Sequence, residues 1–290
     1  MNPNAMESRT LFAPFSRSDL TVLTALCVII ATVLSATLAP LIAPADPYKQ
    51  QLTAALRPPS WAWMGPGMHI LGTDQLGRDI LSRMIYGGRV TLAVAATAVL
   101  CSGAIGTAIG IASGYYGGIL DDVAMRIADI ELSIPFILFA IVFMVVLGTS
   151  LPNLIVVLVI QGWVVYARLV RGQVLALREQ EFITALRALG GSNARIMTRH
   201  VFPNIASAVV VVATLETANM IIIAAGLSFL GLGGNPLTPD WGGMLGDGRD
   251  YLTSAWWLAT FPGAAITVTV ISVNILGDWL RDKLDPRLRA

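Results

Sequence analysis

The polar residues that could carry chemistry in this apolar chain are few, and one of them is an acid deep within a predicted membrane span. Glu216 lies in an apolar run that begins at Asn204, about 18 Å along a helix from that residue. Ionisable side chains inside a membrane are costly and are therefore typical of substrate paths and proton relays. Hydrogen bonding between neighbouring helices explains such residues equally well. The candidates for a translocation path are Gln161, Glu216, Asn219 and Asn274.

The sequence lacks the residue patterns of a catalytic, metal-binding or nucleic-acid-binding protein. Both cysteines, Cys27 and Cys101, lie in predicted spans, so neither a disulfide framework nor a cysteine-based zinc site is expected. The P-loop pattern requires a Gly-Lys pair, and neither Lys49 nor Lys283 follows a glycine. A net charge of +1 without a basic patch indicates no nucleic-acid partner. We expect a chain that is not an enzyme and has no metal or cofactor of its own.

The elements that must position these residues are membrane-spanning helices. The 290 residues are 55% hydrophobic and 13% charged, with a mean hydropathy of +0.71, which is typical of a polytopic membrane protein. Six apolar runs approach the ~20 residues that a bilayer core requires, and open sheet edges are not tolerated there. The prediction is an all-α fold with six transmembrane helices, near 19–43, 91–113, 132–149, 152–172, 204–230 and 258–279.

The distribution of charge predicts how this single domain lies in the membrane. Most of the 19 lysines and arginines fall on one side when the N-terminus is placed inside, so both termini are expected in the cytoplasm. The expected organisation is a tail over 1–18, a transmembrane domain over 19–279 and a tail over 280–290. The domain would contain an outer segment, 44–90, and a cytoplasmic loop, 178–203.

A polar, positively charged island lies between the fourth and fifth predicted spans, from Glu181 to Asn204. Its pattern predicts two short helices broken at Gly190-Gly191, with Ser192 capping the second helix and Pro203 ending it. The apolar residues Phe182, Ala185, Leu186 and Leu189 recur on one helical face. If ATP drives transport, the energy must arrive from another subunit through contacts of this kind.

A second polar cluster precedes the second predicted span, from His69 to Arg89. The pattern predicts a turn that leads into an amphipathic helix lying on the membrane. Its apolar stripe would contain Ile80, Leu81, Met84 and Ile85, and its polar side, facing lipid headgroups or protein, Arg78, Ser82, Arg83 and Arg89.

Glycines and aromatic residues elsewhere predict packing rather than chemistry. A four-residue spacing of glycines in the second span predicts close approach of another helix, at Gly106, Gly110 and Gly114. Aromatic residues next to the last span are expected to anchor it at the headgroup level, at Trp241, Trp256, Trp257 and Phe261.

The 178–203 loop resembles the coupling loop of bacterial ABC importer permeases. The family pattern is Glu-Ala-Ala, three residues, Gly, nine residues, Ile, any residue, Leu-Pro, and this chain keeps the spacing while replacing the acid, the second alanine, the isoleucine and the leucine. The resemblance implies that this coupling loop contacts ATPase subunits. The residues concerned are Glu181, Thr184, Ala185, Leu186, Ala188, Gly190, His200, Phe202 and Pro203.

The string Leu-Gly-Thr-Asp-x-x-Gly-Arg-Asp-x-x-Ser-Arg-x-x-Tyr-Gly-x-Arg, which begins at Leu71, is similar to the hallmark of the DppC/OppC family of peptide importer permeases. Further similarity runs from about Pro44 to the C-terminus, whereas the first span matches only in character. The residues that carry the hallmark, hereafter the 72–83 motif, are Gly72, Thr73, Asp74, Gly77, Arg78, Asp79 and Arg83.

This resemblance implies a type I ABC importer permease fold and a set of partners. They are a homologous permease that forms a heterodimer with this chain, two ATP-binding subunits that hold ATP and Mg, and an extracytoplasmic substrate-binding protein. A di- or oligopeptide substrate and a bacterial inner membrane location are also implied.

Two alternatives remain open at this point. The same architecture serves importers of haem, nickel chelates or glutathione. A proton-driven secondary transporter could use Glu216 as its relay, although inverted repeats, which would favour it, are not evident in the sequence.

Overall fold

The structure is a computed structural model that describes residues 17–60, 69–235 and 237–284, and these residues are almost entirely helical. Helix α1 spans Arg17–Thr37, and the short helix α2 spans Ala39–Ile42. A 3₁₀ turn at Leu52–Ala54 follows. No strand is present in the described ranges, apart from an isolated bridge between Thr73 and Asp79. The predicted all-α fold is confirmed.

Five helices of the described residues are long and apolar enough to cross a membrane. They are α1, α3 (Ile80–Tyr116), α6 (Leu151–Arg178), α9 (Phe202–Phe229) and α11 (Trp257–Leu284). The remaining apolar run, predicted over 132–149, lies in two helices, α4 (Gly118–Ser133) and α5 (Phe136–Leu147). These two meet at 91° and together form a candidate sixth span. Pro135 begins α5, because a proline lacks the amide proton that a continuous helix would need there.

The predicted amphipathic helix on the membrane surface is wrong. Asp79 caps α3 by accepting a hydrogen bond from the Ser82 amide, and the helix then continues without a break for 37 residues. It ends at Gly117, whose φ of +67° favours glycine. The side chains of Arg78, Ser82 and Arg83 are buried against protein rather than headgroups.

The predicted glycine contact is confirmed between α3 and α6. A Cβ placed on Gly106 would lie 2.3 Å from the carbonyl oxygen of Trp163, and one on Gly110 would lie 2.7 Å from that of Ala167. The two backbones therefore approach so closely that only glycine fits, and α3 and α6 form a tightly packed pair.

The main apolar core lies where α3, α5, α6, α9 and α11 meet. Its buried members include one residue from each of these helices, namely Val94, Met144, Leu158, Ile221 and Val273. Burial of such side chains is the main stabilising term available to the bundle.

Helix α10 (Trp241–Gly248) packs between α9 and α11 and corrects part of the aromatic prediction. The indole N–H of Trp241 donates to the carbonyl of Met84, and that of Trp257 donates to the carbonyl of Thr73. Both rings are buried and join distant segments, so neither is a headgroup anchor. Trp256 is 46% exposed, as an anchor would be.

Candidate functional site

The coupling loop has the predicted break between two helices. Helix α7 spans Glu181–Ala188, and helix α8 spans Asn193–Ile196. The chain turns between them at Gly190, whose φ is +79°. The Gly191 amide donates to the Leu186 carbonyl at 2.9 Å, which closes the C-terminus of α7.

The end of the coupling loop differs from the prediction in two ways. Pro203 does not end a helix, because α8 continues through a π-helical turn, Met197–Val201, directly into α9. Pro203 lies in the first turn of α9, and the wider turn before it accommodates the missing amide. Ser192 occupies the predicted cap position of α8, but its side chain makes no capping hydrogen bond. The loop is therefore a rigid extension of α9.

The coupling loop rests on the bundle through a small apolar cluster. Ile183, Ile196 and Val201 are fully buried against residues of α6 and α9, among them Val170 and Ile205. The face that the sequence predicted to be apolar is divided, since Leu186 packs against this cluster while Phe182 is 43% and Leu189 84% exposed. One side of α7 thus holds the loop in place, and the exposed Phe182 and Leu189 form an apolar surface that no other residue of the described ranges covers.

Most of the predicted coupling residues lie on the accessible side of the loop. Leu186 and His200 are half-buried. The exposed ones are Glu181, Thr184, Ala185, Ala188, Gly190, Phe202 and Pro203.

One attachment of the coupling loop was not predicted from the sequence. The hydroxyl of Tyr115, at the end of α3, donates to Asn193 Oδ1 at 3.0 Å. Arg187 Nε donates to the same hydroxyl at 3.3 Å, and its guanidinium lies 4.8 Å from the ring centroid. Arg178 reaches the Gly114 carbonyl at 3.0 Å. The partners of Tyr115 and Arg178 lie more than 60 residues away in the sequence, so the pattern of residue types did not predict these contacts.

The 72–83 motif forms a buried charge cluster at the opposite end of α3. Asp74 Oδ1 accepts from the amides of Leu76 and Arg78, both at 2.9 Å, and Oδ2 accepts from Arg78 Nε at 2.6 Å. Arg83 Nη1 lies 3.3 Å from the same Oδ2. This carboxylate thus holds the turn closed and compensates two arginines that are almost fully buried.

A second acid, from another helix, completes this cluster. Asp247 of α10 lies 3.7 Å from Arg78 and 3.6 Å from Arg83, measured from Oδ2 to the Nη2 atoms. Burial raises the pKa of Asp247, and Arg83 opposes that shift. Burial also raises the pKa of Asp240, which caps α10 by accepting from the Gly243 amide at 2.9 Å. The acids and arginines therefore join α3, α10 and the preceding turn.

The remaining residues of the 72–83 motif fix the backbone of this turn. Thr73 is fully buried, and its hydroxyl oxygen accepts from the Arg57 amide at 2.8 Å. Gly72 and Gly77 have φ values of +82° and +71°, and a Cβ on Gly77 would collide with the Gln51 carbonyl. Asp79 pairs with His69 at 2.8 Å and accepts from Ser82. The motif therefore forms a closely hydrogen-bonded turn, in which both glycines are needed because they have positive φ values and leave no room for a side chain.

The predicted path residues lie on three adjacent helices but do not all meet. Asn219 donates to Glu216 Oε2 at 3.3 Å, within α9. Gln161 is half-buried on α6 and Asn274 is exposed on α11. In the described parts of the chain, no hydrogen bond joins either of them to Glu216.

A cavity of about 540 Å³ opens between the same three helices, near the coupling loop. It extends from Asn204 at the start of α9 to Leu215, next to Glu216. Gln173 of α6 and Arg281 of α11 give it a polar mouth, and valines and leucines form most of the rest of its wall.

Comparisons with known sequence families match most of the chain. Residues 106–290 match the family "Binding-protein-dependent transport system inner membrane component". Residues 17–59 match "N-terminal TM domain of oligopeptide transport permease C", so similarity extends into the first span, further than the sequence motifs indicated.

Individual relatives are similar over most of their length. A dipeptide transport system permease protein DppC of Haemophilus influenzae is 41% identical over 90% of this chain and 88% of the relative. A di/tripeptide transport system permease protein DppC of Pseudomonas aeruginosa is 40% identical over 89% and 85%. A glutathione transport system permease protein GsiD of Escherichia coli is 44% identical over 78% and 75%.

A solved structure supports the fold independently of these sequences. A chain of the MetNI methionine ABC transporter, in an inward-facing conformation, aligns with a TM-score of 0.55 and 22% identity. The alignment covers 71% of this chain and 98% of the solved one. With family similarity over most of the chain, relatives above 40% identity and the permease fold in agreement, this chain belongs to the family of binding-protein-dependent transport system inner membrane components.

Proposed function

We propose that this chain is a permease subunit of an ATP-driven ABC importer for di- or oligopeptides. It forms part of the translocation path and hydrolyses nothing itself, since it contains no P-loop lysine. ATP and Mg are bound by two partner subunits. The family and the peptide permeases among the relatives support this function.

The observation that carries the ATP-coupled mechanism is the two-sided construction of the coupling loop. Its buried base, around Ile183, joins it rigidly to α6 and α9, while Phe182 and Leu189 form an exposed apolar face. Exposed apolar patches on a polar loop mark protein interaction sites. An ATPase subunit binds this face, and its movement is passed to α9 through the continuous helical turn at Met197–Val201.

The second permease completes the path along α6, α9 and α11. Glu216, Asn219, Gln161 and Asn274 lie on these helices, which also form the wall of the cavity of about 540 Å³, although none of the four lines it. A homologous subunit opposite this surface encloses a passage between the two chains. Alternating access then follows from small rigid movements of the two subunits driven from the coupling loops.

Orientation and the outer partner follow from charge and topology. The coupling loop and both termini lie in the cytoplasm of a bacterium, and the 72–83 motif lies at the opposite face of the inner membrane. A substrate-binding protein delivers the peptide to that outer face.

Glutathione is the second candidate substrate, because GsiD relatives are as similar to this chain as the dipeptide permeases are. Glutathione is itself a small peptide with free carboxylates, so the permease path does not discriminate strongly between the two candidates. The substrate-binding protein makes that choice.

The test begins with the complex that co-purifies with a tagged copy of this chain from its own cells. Native mass spectrometry is expected to find a second permease of similar size and two ATPase chains. The complex is then reconstituted in proteoliposomes with its binding protein, and uptake of radiolabelled dialanine is measured with ATP, without ATP and with excess glutathione.

The outcomes separate the hypotheses. ATP-dependent uptake of dialanine that excess glutathione does not reduce supports peptide import, and dialanine uptake that excess glutathione abolishes supports the second candidate. Uptake that needs a proton gradient instead of ATP, and is abolished by Glu216→Gln, contradicts the importer function.

A further inference from the structure

The residue that joins the coupling loop to α3 is Tyr115, and its contacts are unlike those of its neighbour. The Tyr115 side chain is 6% exposed, and its hydroxyl is bound by Asn193 and Arg187. Tyr116 is 53% exposed and only packs edge-on against the ring of Tyr115, at 5.4 Å between centroids. Of these two adjacent tyrosines at the end of α3, Tyr115 therefore contacts the coupling loop through its hydroxyl, and Tyr116 contacts the ring of Tyr115.

The contacts of Tyr115 reach both halves of the coupling loop. Arg187 belongs to α7, before the break at Gly190, and Asn193 belongs to α8, after it. The same ring packs in the apolar cluster that contains Ile183 and Ile196. A movement of either short helix must therefore move Tyr115 or break its contacts.

Helix α3 can carry such a movement across the membrane. It spans 37 residues without a break, which is about 55 Å at ~1.5 Å per residue. Close glycine contacts hold it to α6, so it moves as part of a rigid pair. Its other end carries Arg83, which faces Asp74 and Asp247 in the charge cluster of the 72–83 motif.

The charge cluster of the 72–83 motif contains a contact that a movement of α3 would change. Arg83 lies 3.3 Å from Asp74 but 3.6 Å from Asp247, and Asp247 is 42% exposed on the separate helix α10. Charge-assisted hydrogen bonds are shorter than this, about 2.7–2.9 Å. Because Asp247 belongs to a separate helix, a displacement of α3 relative to α10 changes the distance between Arg83 and Asp247.

We propose that Tyr115 is a positioning residue for ATP-coupled transport, which makes α3 a second output of the coupling loop beside α9. The inference rests on the proposed importer function. Helix α9 receives movement through the continuous chain, and α3 receives it through the Tyr115 hydroxyl and ring. The second route extends to the charge cluster at the face where substrate enters.

The test compares Tyr115→Phe with Tyr116→Phe in the reconstituted complex. Both changes remove one hydroxyl and keep the ring, but only the first removes hydrogen bonds to the coupling loop. The measurement is the number of dialanine molecules transported per ATP hydrolysed, a ratio that loss of protein does not alter. Two hydrogen bonds of ordinary strength correspond to a fall of about fivefold or more in this ratio for Tyr115→Phe.

A second pair of variants keeps the inference falsifiable. Asn193→Ala and Tyr115→Phe remove the same hydrogen bond, so their combined effect is expected to be smaller than the product of the single effects. An unchanged ratio in Tyr115→Phe, or an equal fall in Tyr116→Phe, would overturn the inference. Absence of ATP-dependent uptake in the wild-type complex would instead contradict the proposed function.

Discussion

The packing of α3 against α6 makes a quantitative prediction for Gly106→Ala. The new Cβ would lie 2.3 Å from the Trp163 carbonyl oxygen and 2.7 Å from the Tyr166 Cβ, where ordinary contacts between carbon atoms are about 3.5–4.0 Å. Both neighbours are parts of a helical backbone or are attached directly to it, so no side chain can rotate away. The helices must separate by about 1 Å, which disturbs the contacts on both sides of the site.

The magnitude follows from two opposing effects. Overpacking of this kind costs ~1–3 kcal/mol or somewhat more, and alanine in place of glycine within a helix recovers ~0.5–1 kcal/mol. We expect a net loss of about 2 kcal/mol, or a Tm lower by about 4–8 °C in a protein of this size. The matched control is Gly172→Ala in α6, where nothing lies within 4 Å of the added Cβ.

The assay is thermal unfolding in mild detergent, followed by the loss of the monodisperse peak in size-exclusion chromatography. Gly172→Ala is expected to leave the Tm unchanged or to raise it by a few degrees. A Gly106→Ala protein as stable as the Gly172→Ala protein would refute the close contact between α3 and α6, and with it the rigid pair on which the role of α3 depends.

Three further predictions concern the coupling loop and the charge cluster. Gly190→Val strains a residue with φ +79° by about 1–2 kcal/mol and is expected to lower the amount of substrate taken up per ATP hydrolysed. The control Gly148→Val, with φ +85° and equally open space, is expected to leave this ratio unchanged. An equal uptake per ATP in the two variants would contradict the coupling role of the loop. Asp74→Asn leaves the buried Arg78 and Arg83 short of a negative charge and is expected to cost about 3 kcal/mol in thermal unfolding, against less than ~0.5 kcal/mol for the exposed control Asp250→Asn. Burial raises the pKa of Asp240, so its ionisation destabilises the folded state as the pH rises above the ordinary Asp pKa of about 4. The Tm of Asp240→Asn relative to wild type should therefore increase as the pH is raised from about 4, and a difference that stays constant from that pH upward would contradict the buried charge.

Local patterns in the sequence were sufficient to predict the apolar membrane-spanning helices and the break between the two helices of the coupling loop. Apolar runs of about 20 residues have one stable arrangement in a bilayer, and a Gly-Gly pair after an amphipathic segment ends a helix at low cost. The glycines from Gly106 to Gly114 predicted close packing because their four-residue spacing places them on one face. None of these inferences needed knowledge of a distant partner.

The errors arose where a residue's role depends on a distant partner. The sequence left open whether Arg83 contacts headgroups or protein, and the structure places it beside Asp247, which lies far along the chain. The sequence predicted that Trp241 anchors the last span at the headgroups, but in the structure its indole N–H donates to the carbonyl of Met84. Pro203 reads as a helix end, and only the π-helical turn before it allows the helix to continue. Charge and aromaticity identify residues that need partners, but they do not say which ones.

Exposure alone does not distinguish a partner surface from a lipid surface, and location decides between them. Val145 of α5 is 74% exposed, but it belongs to an apolar run within a candidate span, where lipid tails can cover it. Leu189 is 84% exposed beside arginines and a glycine turn, where lipid tails do not reach if the coupling loop is cytoplasmic. An eight-residue helix such as α7 has room for one buried face, which Ile183 occupies. The apolar residues exposed on the other side of the loop, Phe182 and Leu189, are therefore the surface that the proposed ATPase contact would cover, and mutating them tests that contact directly.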